Sequence, residues 1–440
     1  MRFRQLLIQN IFWRGLYFFS VFILNILISR YFKAEGSGWI YYVINNLSFL
    51  LLVLGLSIES GAAYYVSKKE IADQKIATFC LVWSLIATML SFIILAVLSP
   101  AFYPAFVSKT EFIIGCAFYI PGILCTTYFT ALFYAKQNFF LPNAVLLLIN
   151  SLLILFLFFY GSQSFIQHHF LIIYFSSFFL QGLLFATTYF INHAAQKYFA
   201  LPTIAELRKV FRYSLLAVVT NIVFFLVYRI DYWFVEKFCT QHDLGNYIQV
   251  SKLVQMFLIL PTILASVIFP VIAEGQNKEI TKGIQILSGI LFLVFLLICL
   301  GFVITGWWLF SFVFGDSFDS MYIPYLLLIP GILALSILAL LGSFFAGSNK
   351  IKVNLIGSIL ALIIIITGDI LFIPRYGIKA AALVSSIAYV LNLIFVMYVY
   401  CTKYHARAID FFIIAGNWKN IKSLYTDYLP GILRRPITRK

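Results

Sequence analysis

Long uncharged apolar runs are the feature that most restricts how this chain can fold. Several contain no Asp, Glu, Lys or Arg and exceed the roughly 20 residues that an α-helix needs to cross the hydrocarbon of a bilayer. They include 36–58, 76–108, 253–273, 283–315, 320–349 and 380–402. A membrane β-barrel would show short alternating segments instead. The sequence therefore predicts an all-α polytopic membrane protein.

These runs, with the weaker apolar segments between them, predict about twelve transmembrane helices joined by short loops. The predicted spans are 7–29, 39–66, 77–98, 112–133, 142–160, 170–192, 211–235, 246–272, 286–314, 322–346, 353–373 and 377–402. No loop is long enough for a nucleotide-binding domain or a large catalytic outer loop, and the sequence has no Walker, Gly-rich phosphate-binding or nucleophile-elbow motif. We therefore expect a protein that is not an enzyme and uses no cofactor.

The distribution of Lys and Arg predicts the orientation of these spans. Most of the 31 basic residues fall at the N-terminus, in the C-terminal tail and in alternate loops, such as those at Lys69, Arg208 and Lys350. Basic residues accumulate on the cytoplasmic side of membrane proteins. Both termini are therefore predicted to be cytoplasmic. The net charge of +15 is then explained by topology and by contact with anionic lipids, and no nucleic-acid partner is expected.

The two halves of the chain share short motifs at corresponding places. Matching pairs open the second and eighth spans, lie inside the fourth and tenth, and end the fourth and tenth. They are Gly38 and Gly245, 121–124 and 330–333 (both Pro-Gly-Ile-Leu), and 135–138 and 346–349. Six spans followed by six in the same orientation predict two parallel repeats around a central cavity.

The predicted organisation has three parts. An N-terminal six-helix bundle covers 1–205, a C-terminal six-helix bundle covers 206–402, and a basic cytoplasmic tail covers 403–440. In that tail, aromatic and aliphatic residues recur at helical intervals between 409 and 429, with lysines off the stripe. This pattern is typical of an amphipathic helix at the membrane interface.

Several segments resemble polysaccharide flippases of the Wzx type, within the superfamily that also contains MATE exporters and MurJ-type lipid II flippases. The similar segments are 38–41 (Gly-Trp-Ile-Tyr), 55–61, 228–231, 244–247 and, above all, 372–382, which resembles that family's IPxYGixGAA junction. The resemblance covers about 5–402. It implies alternating-access export of an undecaprenyl-pyrophosphate-linked oligosaccharide across the bacterial inner membrane, for surface polysaccharide such as the O-antigen of lipopolysaccharide. Polymerase and other polysaccharide assembly proteins are implied as partners.

Six ionisable residues inside the predicted spans are the candidate site. They are Arg14, Glu59, Arg229, Asp231, Lys252 and Asp369. A charge inside the membrane is costly and normally faces a bundle interior or an aqueous cavity. The three cations are predicted to bind the anionic part of the substrate, and the three acids are predicted to act in coupling or gating.

Other interpretations of the same residues stay open at this stage. Arg14 with Glu59, and Lys252 with Asp231, can instead form structural ion pairs. A MATE-like drug or ion antiporter of the same fold is the alternative function, although three cations favour an anionic substrate. The adjacent His168 and His169 are expected in a solvated outer loop, and the six scattered cysteines show no metal-ligand spacing. We therefore predict no metal site.

Overall fold

The computed structural model describes residues 3–98, 109–193, 200–274 and 278–412, and almost all of this part of the chain is α-helical. The helices are α1 (Phe3–Gly55), α2 (Ile58–Ser67), α3 (Asp73–Leu98), α4 (Lys109–Ala135), α5 (Phe140–Tyr160), α6 (Ser164–His193), α7 (Ile204–Arg229), α8 (Asp231–Phe238), α9 (Gln241–Phe257), α10 (Ile259–Glu274), α11 (Lys278–Phe314), α12 (Tyr322–Gly347), α13 (Ile351–Tyr376) and α14 (Ile378–Tyr404). Short 3₁₀ turns lie at Asp316–Met321 and Ala408–Phe411.

Eleven helical segments in the described residues are long and apolar enough to cross a membrane. One of them, Phe12–Gly55, has 44 residues, or about 66 Å of helix, roughly twice the hydrocarbon thickness. It bends at Lys33, whose φ of 56° and ψ of −174° are not helical, so it supplies two crossings. The prediction of an all-α polytopic protein with about twelve spans is confirmed.

Three spans are broken near their middle or end, and none of the breaks lies at a proline. Leu56 and Ser57 separate α1 from α2 with positive φ angles of 52° and 46°, Ile230 separates α7 from α8, and Leu258 separates α9 from α10. By contrast, α4 and α12 continue through Pro121 and Pro330, residues that the sequence marked as possible hinges.

Contacts divide the chain into two compact units. The N-terminal unit contains Gln5–Phe32 and Ile40–Ile222, and the C-terminal unit contains Lys33–Trp39 and the described residues from Val223 onward. Large apolar side chains are exposed along outer helices, for instance Met89 on α3 and Ile304 on α11. Such apolar exposure on a chain of this kind is what a lipid-facing surface requires.

Each unit has a close helix crossing at one of the two Pro-Gly-Ile-Leu motifs. In the N-terminal unit α4 packs on α6, and a Cβ on Gly122 would lie 2.5 Å from backbone atoms of Phe178. In the C-terminal unit α12 packs on α14, where the Gly331 N–H donates to Ser386 Oγ at 2.9 Å. The repeated motif therefore has the same packing role in both units, because a small residue lets the helix backbones approach.

The ends of α4 and α12 also have the same backbone geometry. The Asn138 N–H donates to the Phe133 carbonyl at 3.0 Å, and the Lys350 N–H donates to the Phe345 carbonyl at 2.7 Å. The residue before each donor has a left-handed φ, of 59° and 57°. These are Schellman ends, which satisfy the last carbonyls of a helix.

The two glycines that open the second and eighth spans contact each other inside the C-terminal unit. A Cβ on Gly38 would collide with the Gly245 backbone, and a Cβ on Gly245 would collide with the carbonyl of Ala34. The Ala34 N–H donates to Ser317 Oγ at 3.0 Å, and Asn246 Nδ2 donates to the Ser317 carbonyl at 3.1 Å. This knot fixes the segment after the Lys33 bend.

Two details of the sequence interpretation need comment. The expectation that His168 and His169 lie in a loop was wrong, because α6 already begins at Ser164 and both histidines are helical. The predicted interfacial helix at 409–429 lies almost entirely outside the described residues, which end at 412.

Candidate functional site

A buried acidic residue follows the break in the seventh span. Asp231 is the first residue of α8 and its side chain is only 2% exposed. Its Oδ2 accepts hydrogen bonds from Tyr247 Oη and, at 3.3 Å, from Ser385 Oγ. Its Oδ1 has no hydrogen-bond partner within the described part of the chain. Asp231 is thus held by neutral hydroxyl groups rather than by Lys252.

Asp369 on α13 is the second acid of this cluster. It is fully buried, and neither carboxylate oxygen has a hydrogen-bond partner among the described residues. It lies close enough to Asp231 for the two negative charges to repel, and Tyr247 is within electrostatic range of both. An uncompensated carboxylate in an apolar interior is strongly unfavourable, so this pair calls for a bound cation or proton.

A polar cavity of about 310 Å³ opens beside Asp231. Its walls come from the region of the α7 break and from α9, α12 and α14. The lining residues are Tyr228, Asp231, Tyr247, Ser251, Val254, Gln255, Leu258, Leu328, Leu335, Ser385 and Tyr389. Tyr389 Oη donates to the Val227 carbonyl at 3.2 Å, which satisfies a backbone group near the break.

The two predicted cations of the C-terminal unit lie at this cluster. The Arg229 guanidinium donates to Gln255 Oε1 at 2.9 Å and lies 5.8 Å from the ring centroid of Phe225. Lys252 on α9 is half-buried and is near enough to Arg229 for their charges to interact. The structure therefore brings together four of the six predicted site residues: Arg229, Asp231, Lys252 and Asp369.

Arg14 and Glu59 lie in the N-terminal unit and do not form an ion pair with each other in the described structure. Arg14 is 5.6 Å from the ring centroid of Phe18. Glu59 is in the first turn of α2, directly after the strained residues Leu56 and Ser57. Strained backbone of this kind is concentrated at functional sites.

Side chains from neighbouring helices satisfy the carbonyls that this break exposes. Trp83 Nε1 donates to the Leu54 carbonyl at 3.1 Å, and Tyr128 Oη donates to the Gly55 carbonyl at 3.1 Å. Asn221 Nδ2 donates to Ser57 Oγ at 3.0 Å. The break is therefore a specified feature of the N-terminal unit, as expected where irregular backbone is buried inside a membrane protein.

Sequence reasoning missed the neutral part of the site. Tyr247, Gln255, Ser385 and Tyr389 bond or line the cluster, but only their charged neighbours stand out in an apolar sequence. Tyr247 does fall in the 244–247 segment that carried part of the family resemblance, and this was the one available signal.

Comparisons of the sequence with protein-family models and with curated proteins find no match. Among solved structures, an inward-facing multidrug resistance MATE transporter of the MOP superfamily is similar at a TM-score of 0.67 and 11% identity, over 92% of this chain and 95% of that one. The MATE transporter VcmN of Vibrio cholerae gives 0.61 and 15%, over 93% and 98%.

A third similar structure is a MOP superfamily transporter from Pyrococcus furiosus, whose binding pocket is described as having reverse polarity and suggesting a different function. It gives a TM-score of 0.62 and 13% identity, over 91% of this chain and 95% of that one. At such low identity the similarity concerns the fold alone. The chain has the fold of MATE and other MOP superfamily transporters.

Proposed function

We propose that the protein is a secondary transporter that flips an anionic lipid-linked oligosaccharide across the bacterial inner membrane by alternating access. Both termini are cytoplasmic in this proposal, and the protein catalyses no covalent chemistry. The substrate is an oligosaccharide on an undecaprenyl pyrophosphate carrier, destined for surface polysaccharide. The MOP superfamily fold and the resemblance of 372–382 to Wzx-type flippases support this class.

One observation carries the proposal: two acids and two bases meet in one membrane-embedded cluster with a polar cavity beside it. Each charge costs roughly 2.5–3.5 kcal/mol or more to insert at mid-membrane. A purely structural role would be served by complete pairing, yet Asp369 has no hydrogen-bond donor among the described residues. An unsatisfied acid beside a cationic group suits a site that binds and releases ions.

The geometry suggests how cation and substrate are coupled. A cation or proton at Asp231 and Asp369 neutralises the acids, which leaves Arg229 and Lys252 to bind phosphate oxygens. A guanidinium can do so bidentately, whereas an ammonium acts as a point charge. When the cation leaves, the carboxylates compete for the same basic groups. Each ligand therefore raises the affinity of the other by the same factor.

Arg14 and Glu59 would provide a second station in the N-terminal unit. Their pairing as a gate stays a prediction, because a gate pair forms in only one state of the transport cycle. The strained backbone at Leu56 and Ser57 gives Glu59 a local element that can rearrange.

The proposal is tested with the purified full-length protein in proteoliposomes that contain the undecaprenyl-pyrophosphate-linked oligosaccharide. Lys252→Ala should reduce flipping by about 10-fold or more, since a hydrogen bond to a charged group contributes roughly 1.5–3 kcal/mol. Lys252→Arg should retain part of the activity. Lys352→Ala, at an exposed position at the start of α13, is the matched control and should be unchanged.

Two outcomes would contradict this role. One is normal flipping by Lys252→Ala at equal protein level. The other is restoration of Lys252→Ala by Asp231→Asn, which would mean that the lysine only neutralises a buried acid.

A MATE-like drug or ion antiporter is the second candidate. The observation that favours it is the buried pair Asp231 and Asp369, which suits a cationic substrate, together with the multidrug MATE structures of the same fold. The two functions separate in one assay. A MATE-like exporter would lower the accumulation of a cationic dye in cells and would leave the lipid-linked oligosaccharide in its original leaflet.

A further inference from the structure

Three metal-ligating side chains converge at one end of the N-terminal unit. Glu111 lies in the first turn of α4, and His168 and His169 lie near the beginning of α6. The two helices are held together by the close crossing at Gly122 and Gly182. The ends that carry the three side chains are thus positioned by the fold itself.

The ligand atoms have the spacing of a metal site. His169 Nδ1 lies 3.0 Å and His168 Nε2 lies 3.7 Å from Glu111 Oε1, and one ligand atom from each residue lies within 4.8 Å of the others. Ligands bound to a tetrahedral ion at about 2.0–2.1 Å are about 3.4 Å apart. The observed distances lie on either side of that value.

Adjacent histidines converge here because they use different ring nitrogens. His168 presents the distal Nε2, and His169 presents the proximal Nδ1. Their rings are nearly perpendicular, at 82°, with centroids 4.9 Å apart. Neighbours on a helix point about 100° apart, and the different reach of the two nitrogens compensates for this divergence.

A simple ion pair accounts for only part of this arrangement. The single negative charge of Glu111 can balance one protonated histidine, and a second imidazolium beside it would be repelled. Two neutral imidazoles and one carboxylate instead offer three ligand atoms to one point. The site is open on one side, since the side chain of His168 is 64% exposed while that of Glu111 is 18% exposed. Three protein ligands and an open fourth position are typical of Zn²⁺.

We propose that Glu111, His168 and His169 form a Zn²⁺ site that joins the ends of α4 and α6. The fourth position would be filled by water, because His168 faces solvent. The ion would act as a clip within the N-terminal unit, separate from the acidic cluster of the C-terminal unit. Nothing in this inference depends on which substrate the protein transports.

The experiment measures Zn²⁺ binding to the full-length protein in detergent, purified with a tag that has no histidines and treated with a chelator. Competition with a fluorescent zinc indicator gives stoichiometry and Kd, and thermal unfolding gives the change in Tm. We expect one Zn²⁺ per chain and a higher Tm. The variants Glu111→Gln and His169→Ala should each weaken binding by more than the roughly 10–100-fold caused by loss of an outer-shell partner.

His242→Ala is the matched control. His242 Nε2 lies 3.5 Å from Asp319 Oδ1 in a histidine–carboxylate pair without a third ligand, so its removal should leave Zn²⁺ binding unchanged. Glu111→Gln keeps the shape of the side chain, so a monodisperse gel-filtration profile would separate loss of metal from loss of fold. The proposal is overturned if the wild-type protein does not bind Zn²⁺ stoichiometrically. It is equally overturned if a folded double variant, His168→Ala with His169→Ala, binds as tightly as the wild type.

Discussion

At the scale of single residues, the carboxylate of Asp369 sets the chemistry of the C-terminal unit. It is fully buried and lacks a hydrogen-bond donor among the described residues, whereas its neighbour Asp231 receives two hydroxyl donors. Hydrogen bonds from Tyr247 and Ser385 favour the charged form of Asp231. The two acids are therefore unequal, and Asp369 is the one that depends on an added cation or proton.

Replacing Asp369 with asparagine should separate coupling from folding. The Asp369→Asn protein keeps the shape of the side chain and removes a costly buried charge, so we expect its Tm to be unchanged or higher. The stimulation of substrate binding by Na⁺ or by protons should fall by about 10-fold or more, since roughly 1.4 kcal/mol is a factor of ten. Substrate binding measured across a series of Na⁺ concentrations and pH values checks this.

Asp316→Asn is the control for that measurement, because Asp316 is an exposed acid between α11 and α12. A coupling role for Asp369 would be wrong if its asparagine variant responded to cations as strongly as the wild type and the control.

Individual site residues were predictable to different degrees. Arg229, Asp231, Lys252 and Asp369 were found because a formal charge stands out in an apolar span. Tyr247, Ser385 and Gln255 were missed, because hydroxyl and amide groups are frequent in membrane helices and their role depends on which helices pack together. Glu111 and the two histidines were missed for a different reason: the predicted span began at 170, so the histidines were assigned to a loop.

At the scale of helices, the contact between Gly38 and Gly245 is the tightest constraint in the C-terminal unit. Each glycine occupies space that a Cβ on the other would need. The constraint concerns close approach, because both residues have ordinary helical φ angles and neither is among the positive-φ glycines. The second and eighth spans therefore cross where the sequence has its repeated glycine.

The Gly245→Ala substitution should destabilise the protein by about 1–3 kcal/mol, the usual effect of overpacking. Gly301→Ala is the matched control, since nothing lies within 4 Å of a Cβ at that helical position. The control should be neutral or more stable by roughly 0.5–1 kcal/mol. Thermal unfolding in detergent checks both. Equal Tm values for the two variants would show that the crossing tolerates a methyl group.

The existence of the helices was predictable, but their breaks were not. Long apolar runs predict spans by length alone, whereas the interruptions at Leu56, Ile230 and Leu258 carry no proline or glycine. They depend on donors such as Trp83 and Tyr128, which come from other helices. Pro121 and Pro330 were the visible breakers, yet membrane helices absorb a single missing hydrogen bond.

At the scale of the whole molecule, the basic loops of the N-terminal unit meet at one end. Lys75 Nζ lies 3.2 Å from Glu206, Lys209 Nζ lies 3.8 Å from Glu70, and Lys136 pairs with an acid at the start of α3. These contacts place the loop after α2, the end of α4 and the start of α7 together. The distribution of charge that predicted the topology is thus consistent with this packing.

Reporter fusions test the orientation directly. Fusions near Lys69, Arg208 and Lys350 should report the cytoplasm, and fusions near Lys109 and Asp316 should report the periplasm, because basic loops are retained inside. Reversal of a single loop with unchanged neighbours would mean that one crossing has been miscounted. Reversal of all five would invert the proposed orientation.

The position of the acid pair also has an electrical consequence. Asp231 and Asp369 lie inside membrane-spanning segments, so a cation that reaches them from water travels through part of the transmembrane voltage. One full charge crossing 100 mV corresponds to about 2.3 kcal/mol. The membrane potential therefore shifts how often the pair is loaded from each side. A substrate with two phosphate groups feels the opposite bias, so voltage alone would reset the balance between the empty and the loaded carrier.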